Sequence, residues 1–215
     1  MVEIQTIEKR SRGRPQLRCD DDTKTVIVEA ANDQFYQSGY AAANISLIAQ
    51  NAGVSTKTLY RLFPTKADLF SSVISEKIGR FFLALDESTL ATMGLREGLE
   101  RMLTAYGMLT LTEETVSMTR LVVGESDRFP EIAAAFYNKA IIPTNAVMET
   151  WLRRQCDKGL IVLENPHEAC GMLRGMMIME PQRAAALGQM PAPRIEEIVS
   201  RAKMCADLFL KGCAR

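Results

Sequence analysis

The chain has 215 residues, 47% of them hydrophobic, and its 26 basic residues balance 26 acidic ones. That is room for one medium domain, or a small domain joined to a larger one, with apolar material for a sizeable core. No apolar run approaches the roughly 18 residues of a membrane span, no signal-peptide pattern opens the chain, and the five cysteines never form a CxxC pair, so reduced thiols, a cytoplasmic location and no membrane partner are expected.

The zero net charge hides an asymmetry at the start. The stretch "KRSRGRPQLR" carries Lys9, Arg10, Arg12, Arg14 and Arg18 without an acid. Residues 1–21 read as a flexible basic arm, either a solvated tail or a segment that follows DNA phosphates. In the second case "RGRP" holds the backbone extended while Arg12 and Arg14 enter a narrow minor groove.

Beyond the arm the pattern is helical almost throughout. In "DDDTKTVIVEAANDQFYQSGY" three aspartates open a helix, Ile27, Ala30, Ala31 and Phe35 recur at helical spacing, and Gly39 stops it. Asn44 is placed to cap a second, short helix with Ile45, Ile48, Ala49 and Ala52 inward. Gly53 takes the corner and Ser55 caps a third helix that turns Leu59, Leu62 and Phe63 inward. Pro64 ends it, and Thr65 with Asp68 forms a capping box opening a fourth helix over roughly 66–86. With its apolar side buried, the third helix exposes Thr56, Lys57, Tyr60 and Arg61 as one compact face, able to meet phosphates or base edges in a major groove. Two short helices around a glycine corner, the second carrying such a face, spell a helix-turn-helix.

The segment "VIVEAANDQFYQSGYAAANISLIAQNAGVSTKTLYRLFPTKADLF", residues 26–70, resembles the DNA-binding region of the TetR family of transcriptional repressors. The resemblance rests on "GY" after the first helix, "IAQNAGVS", "TLYRLF" and "PTKADLF". It implies that Lys57, Tyr60 and Arg61 lie on a recognition helix and that Lys66 meets a phosphate. Together with Arg12, Arg14, Asn44 and Thr56 these form the expected DNA-contacting set. The chain departs from the family in having Ala43 where a threonine is usual, and Lys57 where a small residue is common.

After about Met93 the helices lengthen. Leu95, Leu99, Met102, Leu103 and Tyr106 share one side of a helix; a break falls at Phe129-Pro130 and a bend is expected at Pro143. "FPEIAAAFY" is similar to a feature of the AcrR-like members of the family. A further helix starts after Asn165-Pro166, and a last one runs from Arg194 to about Lys211. The expected class is therefore all-α: a helix-turn-helix domain over 22–66 and a helical ligand-binding and dimerisation domain over 67–215.

By the family resemblance the later helices enclose a small-molecule site. Its candidates are the adaptable and aromatic residues Met102, Tyr106, Met118, Phe136, Met148, Trp151, Met172 and Met176. No buried charge cluster is evident, so a neutral or weakly polar, largely apolar effector is expected. Gly171 and Gly175 offer a flat strip on the penultimate helix; with Ile198, Ala202, Ala206 and Phe209 of the last they form the expected homodimer interface. The single histidine, His167, has no ligand spacing around it, and no glycine-rich phosphate loop is present. An enzyme, a metal site and a cofactor are therefore not expected. The reading is a ligand-responsive repressor that binds a palindromic operator as a homodimer. A ligand-independent DNA-binding protein and a helical interaction module without DNA are the alternatives.

Overall fold

The structure, a computed structural model, describes residues 19–85 and 87–213, the side chains of 87–89 excepted; Arg12 and Arg14 lie outside the described residues. Helix α1 spans Asp20–Ala42, with Asp20, Asp21 and Asp22 in the first turn where the helix end is positive. Its buried face is Ile27, Ala31 and Phe35. The helix breaks at Gly39, whose φ of 76° and ψ of 175° belong to a region that only glycine occupies without strain.

The local signals then do what their chemistry dictates. Asn44 caps α2 (Ile45–Asn51) by accepting from the Ser46 and Leu47 amides, and Ser55 caps α3 (Thr56–Leu62) through the Thr58 amide. Between them Gly53 takes φ 67°, and the Val54 amide bonds back to the Ala49 carbonyl at 2.9 Å. Ala49 and Leu59, each 1% exposed, bring the two helices into contact. The capping box of Thr65 and Asp68 opens α4 (Lys66–Ala84). Phe35, Tyr40 and Phe70 then pack as an aromatic trio with ring centroids 5.3 to 5.7 Å apart.

Seven further helices follow among the described residues. They are α5 (Glu87–Thr92), which the sequence pattern did not mark, α6 (Leu95–Thr110), α7 (Glu113–Glu125), α8 (Pro130–Phe136), α9 (Ile142–Asp157), α10 (Pro166–Ala186) and α11 (Ile195–Cys213). The bend expected at Pro143 takes the form of a π turn over Tyr137–Ile141, just before a proline that cannot donate to the turn preceding it. Helices α6 and α11 pack closely because Gly107 has no side chain. A β-carbon there would stand 2.5 Å from Met177 Cε and 2.6 Å from Ile198 Cγ2. Gly98 likewise leaves room for the Trp151 ring.

Apolar packing divides along α4. Its first half, with α1 to α3, joins Met118, Val122, Ile132 and Ala140 from α7, α8 and the π turn in one core. Its far end, Phe81 and Leu85, joins α6, α9, α10 and α11 in a second. The helix-turn-helix is thus completed by residues from much later in the chain, because α1 to α3 alone are too small to bury Phe35.

Two glycines in helices test this account. Gly39→Ala forces a strained φ and sets a β-carbon 2.9 Å from Glu125 Oε1, so it is expected to cost about 1–3 kcal/mol. Gly79→Ala, in mid-helix where a β-carbon meets nothing, is expected to gain about 0.5–1 kcal/mol. Urea denaturation of the two variants measures both, and equal effects would remove the special role given to Gly39.

Candidate DNA interface and ligand cavity

The outer face of α3 carries Thr56, Lys57 and Tyr60, all exposed, with Tyr60 at 50%. Arg61 shares that helix, but its guanidinium forms a two-pronged pair with Asp20 at the start of α1, at 2.9 and 2.8 Å. Hydrogen bonding to Asp20 raises its pKa further above the ordinary arginine value. Asn44 is exposed, with its amide oxygen committed to the α2 cap. Lys66 is placed differently from a free phosphate contact. Its ammonium donates to the Ala41 and Ala43 carbonyls at 3.2 and 2.7 Å and lies 5.0 Å from the Tyr40 ring centroid. Burial lowers its pKa, partly countered by the charge of Glu125.

Sequence reasoning passed over the polar groups that fasten this unit to the rest. Glu125, at the end of α7, accepts from the Tyr40 and Ala41 amides at 3.2 and 2.9 Å. Glu114, at the start of α7, accepts from Asn32 at 2.5 Å and from Lys77 at 2.7 Å. Burial alone would raise the Glu114 carboxyl, but the bonds from Lys77 and Asn32, with the charges of Lys77 and Arg80, bring it below the usual carboxylate value. The Tyr40 hydroxyl faces Glu131 at 3.5 Å, and burial with that neighbour pushes its pKa up to about 12. An isolated glutamate in a helix pattern carries no signal that separates such anchors from solvated charges.

A cavity of about 230 Å³ lies between α4, α6, α7, α9, α10 and the π turn. Of the expected pocket residues, Tyr106, Met118 and Phe136 line it. Met102 and Trp151 face a separate cleft of about 400 Å³, beside Phe82 and Leu85. Met148 is fully buried core, and Met176 packs against the second core. Met172 is a correction: at 68% exposed on the outer side of α10, it lines neither this cavity nor the cleft. Alternation along a helix shows that methionines share a face but not which neighbour that face meets. The polar residues Lys77, Thr144 and Arg174, which are among those lining the cavity, were not foreseen.

The expected interface also needs correction. Ile198, Ala202 and Ala206 are at most 2% exposed and belong to the second core, beneath α6, so they are not available to a partner. Phe209 packs partly against the same core. A β-carbon at Gly175 would meet nothing, and one at Gly171 only Arg174 Nη2 at 3.8 Å, so the glycine strip is open. Around it Met172, Met179, Met204 and Leu208 stand 56 to 68% exposed on α10 and α11.

Residues 27–73 match the family model for bacterial regulatory proteins of the tetR family, and residues 97–212 match that for the AefR-like transcriptional repressor C-terminal domain. Among curated proteins, the chain is 28% identical over 102 residues to the fatty acid metabolism regulator protein of Bacillus subtilis, covering 47% of this chain and 53% of that one. It is 28% identical over 134 residues to the transcriptional regulator UidR of Escherichia coli, covering 59% and 63%. The matches thus take in roughly half the length of these relatives. A structure described as a TetR-family regulator from Mesorhizobium loti superposes with a TM-score of 0.80 at 23% identity, covering 91% of this chain and 98% of that one. The Bacillus subtilis regulator FadR in complex with stearoyl-CoA does so with 0.69 at 20%, covering 87% and 98%. At these identities the two structures establish the fold.

The Glu114 anchor predicts a pH dependence. Because its folded pKa is depressed, its contribution is present above the unfolded value of about 4.3 and lost as pH falls through the folded value. Glu114→Gln is therefore expected to be less stable than the parent at pH 7, with the gap closing below about pH 4. Thermal melts of both proteins across that range check it, and a gap independent of pH would refute the ionic role.

Proposed function

The chain belongs to the TetR family of transcriptional regulators, with a helix-turn-helix DNA-binding domain, and from that premise we propose that it is a cytoplasmic, homodimeric repressor of a palindromic operator, released by a small, largely apolar effector. In this reading α1 to α3 and the basic arm bind DNA, and the helices from α4 onward bind the effector and the second subunit. The exposed face of Thr56, Lys57 and Tyr60 enters the major groove. FadR of Bacillus subtilis, which shares this fold, is in complex with stearoyl-CoA, and that supports a small-molecule effector here. His167, exposed and paired with Glu149 at 2.7 Å, belongs to the surface in this reading, which assigns no catalysis.

One observation carries the effector reading. Ile74, Ile78, Met118 and Ala140 line the 230 Å³ cavity and are also members of the core that holds the helix-turn-helix. A ligand that spreads these walls displaces α4 against α7, and with them the seat of α1. Close-packed interiors transmit such shifts because they deform little. Coupling between two such sites is typically worth about 1–3 kcal/mol, a change of roughly 5- to 150-fold in operator affinity.

Selection of duplexes from a random pool with the full chain is expected to return a palindrome. Lys57→Ala and Tyr60→Ala are each expected to weaken binding to it by about 1–3 kcal/mol with the fold intact. The neutral apolar probe N-phenyl-1-naphthylamine is expected to bind in the cavity and to lose affinity when that duplex is present, by the same factor as it weakens the duplex. Equal probe affinity with and without the duplex would exclude release by this cavity.

For the dimer, the outer face of α10 and α11 supplies the seam: Met172, Gly175 and Met179 recur at helical spacing, as do Met204 and Leu208. Such an isologous patch would set two recognition helices about one DNA turn apart. Leu208→Glu and Met204→Glu are expected to sediment as monomers at micromolar concentration with unchanged helix content. Parent protein that is itself monomeric there would reject the interface.

A further inference from the structure

The effector cavity contains a cation that no carboxylate balances. Arg174 of α10 is in its wall, and its Nε is buried without a hydrogen-bond partner. The other cation in the wall, Lys77, is already paired with Glu114 at 2.7 Å. Among the described residues no aspartate or glutamate lines the cavity, and none forms an ion pair with Arg174. The groups beside Arg174 do not compensate it either. Burial raises the pKa of both Tyr106 and Cys170 against the opposing pull of the Arg174 charge and its hydrogen bonding, so both stay neutral at neutral pH. Glu149, whose charge reaches Cys170, is engaged by Arg153 at 2.5 Å and His167 at 2.7 Å.

A second orphan stands in the same wall. Thr144 is 3% exposed, and its hydroxyl has no partner. The neighbouring threonines are satisfied: Thr110 donates to the Tyr106 carbonyl, Thr119 to the Thr115 carbonyl, and Thr115 accepts from Thr112. Buried polar groups are nearly always partnered, so two unpartnered donors on residues of one cavity wall mark where a ligand's acceptor would be satisfied once these side chains turn inward. A charged donor left unmatched costs more than a neutral one.

Resting on the reading that this cavity takes the effector, we propose that the effector is a compact apolar monoacid whose carboxylate pairs with Arg174 and accepts a hydrogen bond from Thr144. The charge count sets the class. One uncompensated cation matches a monoanion, and a phosphate dianion or the several phosphates of a coenzyme A thioester would outnumber it. The size agrees, since about 230 Å³ lies below the ~300–1,000 Å³ of drug-sized sites. The apolar remainder of the wall, Ile74, Ile78, Met118 and Phe136 among it, receives the body of the acid.

The test uses the full-length chain with N-phenyl-1-naphthylamine as reporter, displaced by 4-phenylbutyrate or by its neutral isostere 4-phenylbutyramide at pH 7.5. The acid is expected to displace the reporter at a concentration about tenfold or more below the amide, as a charge-assisted bond in a water-poor site requires. Arg174→Met is expected to abolish that preference, and a circular dichroism melt like the parent's shows that the variant is folded. Arg174→Lys is expected to retain part of the preference. Thr144→Val is expected to weaken the acid severalfold without lowering the melting temperature. Equal displacement by acid and amide in the parent, or a preference that survives Arg174→Met, would overturn the monoacid assignment and leave the cavity standing. So would tighter binding of 4-phenylbutyryl-coenzyme A than of the free acid. A reporter that fails to bind the parent would overturn both the cavity reading and the assignment built on it.

Discussion

Everything above the helix-turn-helix is organised by the hydrogen bonds at the junction between α1 and α2. Gly39 breaks the helix, which strips the Tyr40 and Ala41 amides of their helical partners and leaves the Ala41 and Ala43 carbonyls open as well. Backbone groups so placed must be satisfied or stay in water. Here Glu125 of α7 takes the two amides and Lys66 of α4 takes the two carbonyls, from opposite sides of the junction. Both partners are charged side chains, and hydrogen bonds to charged groups are stronger than neutral ones. The Tyr40 ring, packed edge-on to Phe70 and Phe129, closes the space between them. The junction is therefore a clamp whose two jaws belong to different helices of the larger unit.

The same two helices form adjacent walls of the 230 Å³ cavity. Helix α7 is tied to α1 at both of its ends, by Glu114 to Asn32 and by Glu125 to Tyr40 and Ala41, and α4 lies beneath it. Ile74, Lys77 and Ile78 of α4 face Thr115, Met118 and Thr119 of α7 across the cavity. An occupant that widens this gap does not need to tilt the whole of α4. In the proposed release, movement of α7 would suffice, since Glu114 and Glu125 bond α7 to α1 at both ends. A route through the far end of α4, at Phe81, Phe82 and Leu85, leads to the other cleft and to the second core instead. Coupling by a strap fastened at both ends is stiffer than coupling by a lever pivoting at one.

What could be read from the sequence follows the range of the interactions. The caps at Asn44, Ser55 and Thr65, the corner at Gly53 and the inward run of Leu59 and Phe63 are set within four residues of each other, and all are present. The C-terminal faces depend on partners far away in the chain. Ile198, Ala202 and Ala206 have the periodicity of a seam, but a seam against α6 and a seam against a second subunit look alike in one sequence. Gly107 decides between them by letting α6 approach, and no local pattern announces that. Met172 and Met176 are neighbours on one helix, yet one points to solvent and the other to the core. Arg174 stayed invisible for a similar reason, because a lone arginine in a helix reads as a solvated charge until the elements around it are in place.

The pair between Arg61 and Asp20 completes the picture of the DNA face. It holds the first turn of α1 against α3, so the recognition helix and the point where the described chain begins are kept side by side. Both side chains are close to half exposed, 52% and 43%, so solvent screens the pair and it contributes little to stability. A DNA phosphate, or a guanine edge offering two acceptors, presents the guanidinium with the same two-pronged geometry as the carboxylate. Exchange of Asp20 for such an acceptor would therefore cost little, while the displaced aspartate would face a negatively charged backbone. The pair thus orients Arg61 in the free protein at small expense and sets a modest electrostatic penalty on binding. In the proposed complex, sequence discrimination would then rest more heavily on Lys57 and Tyr60, which have no such tie among the described residues.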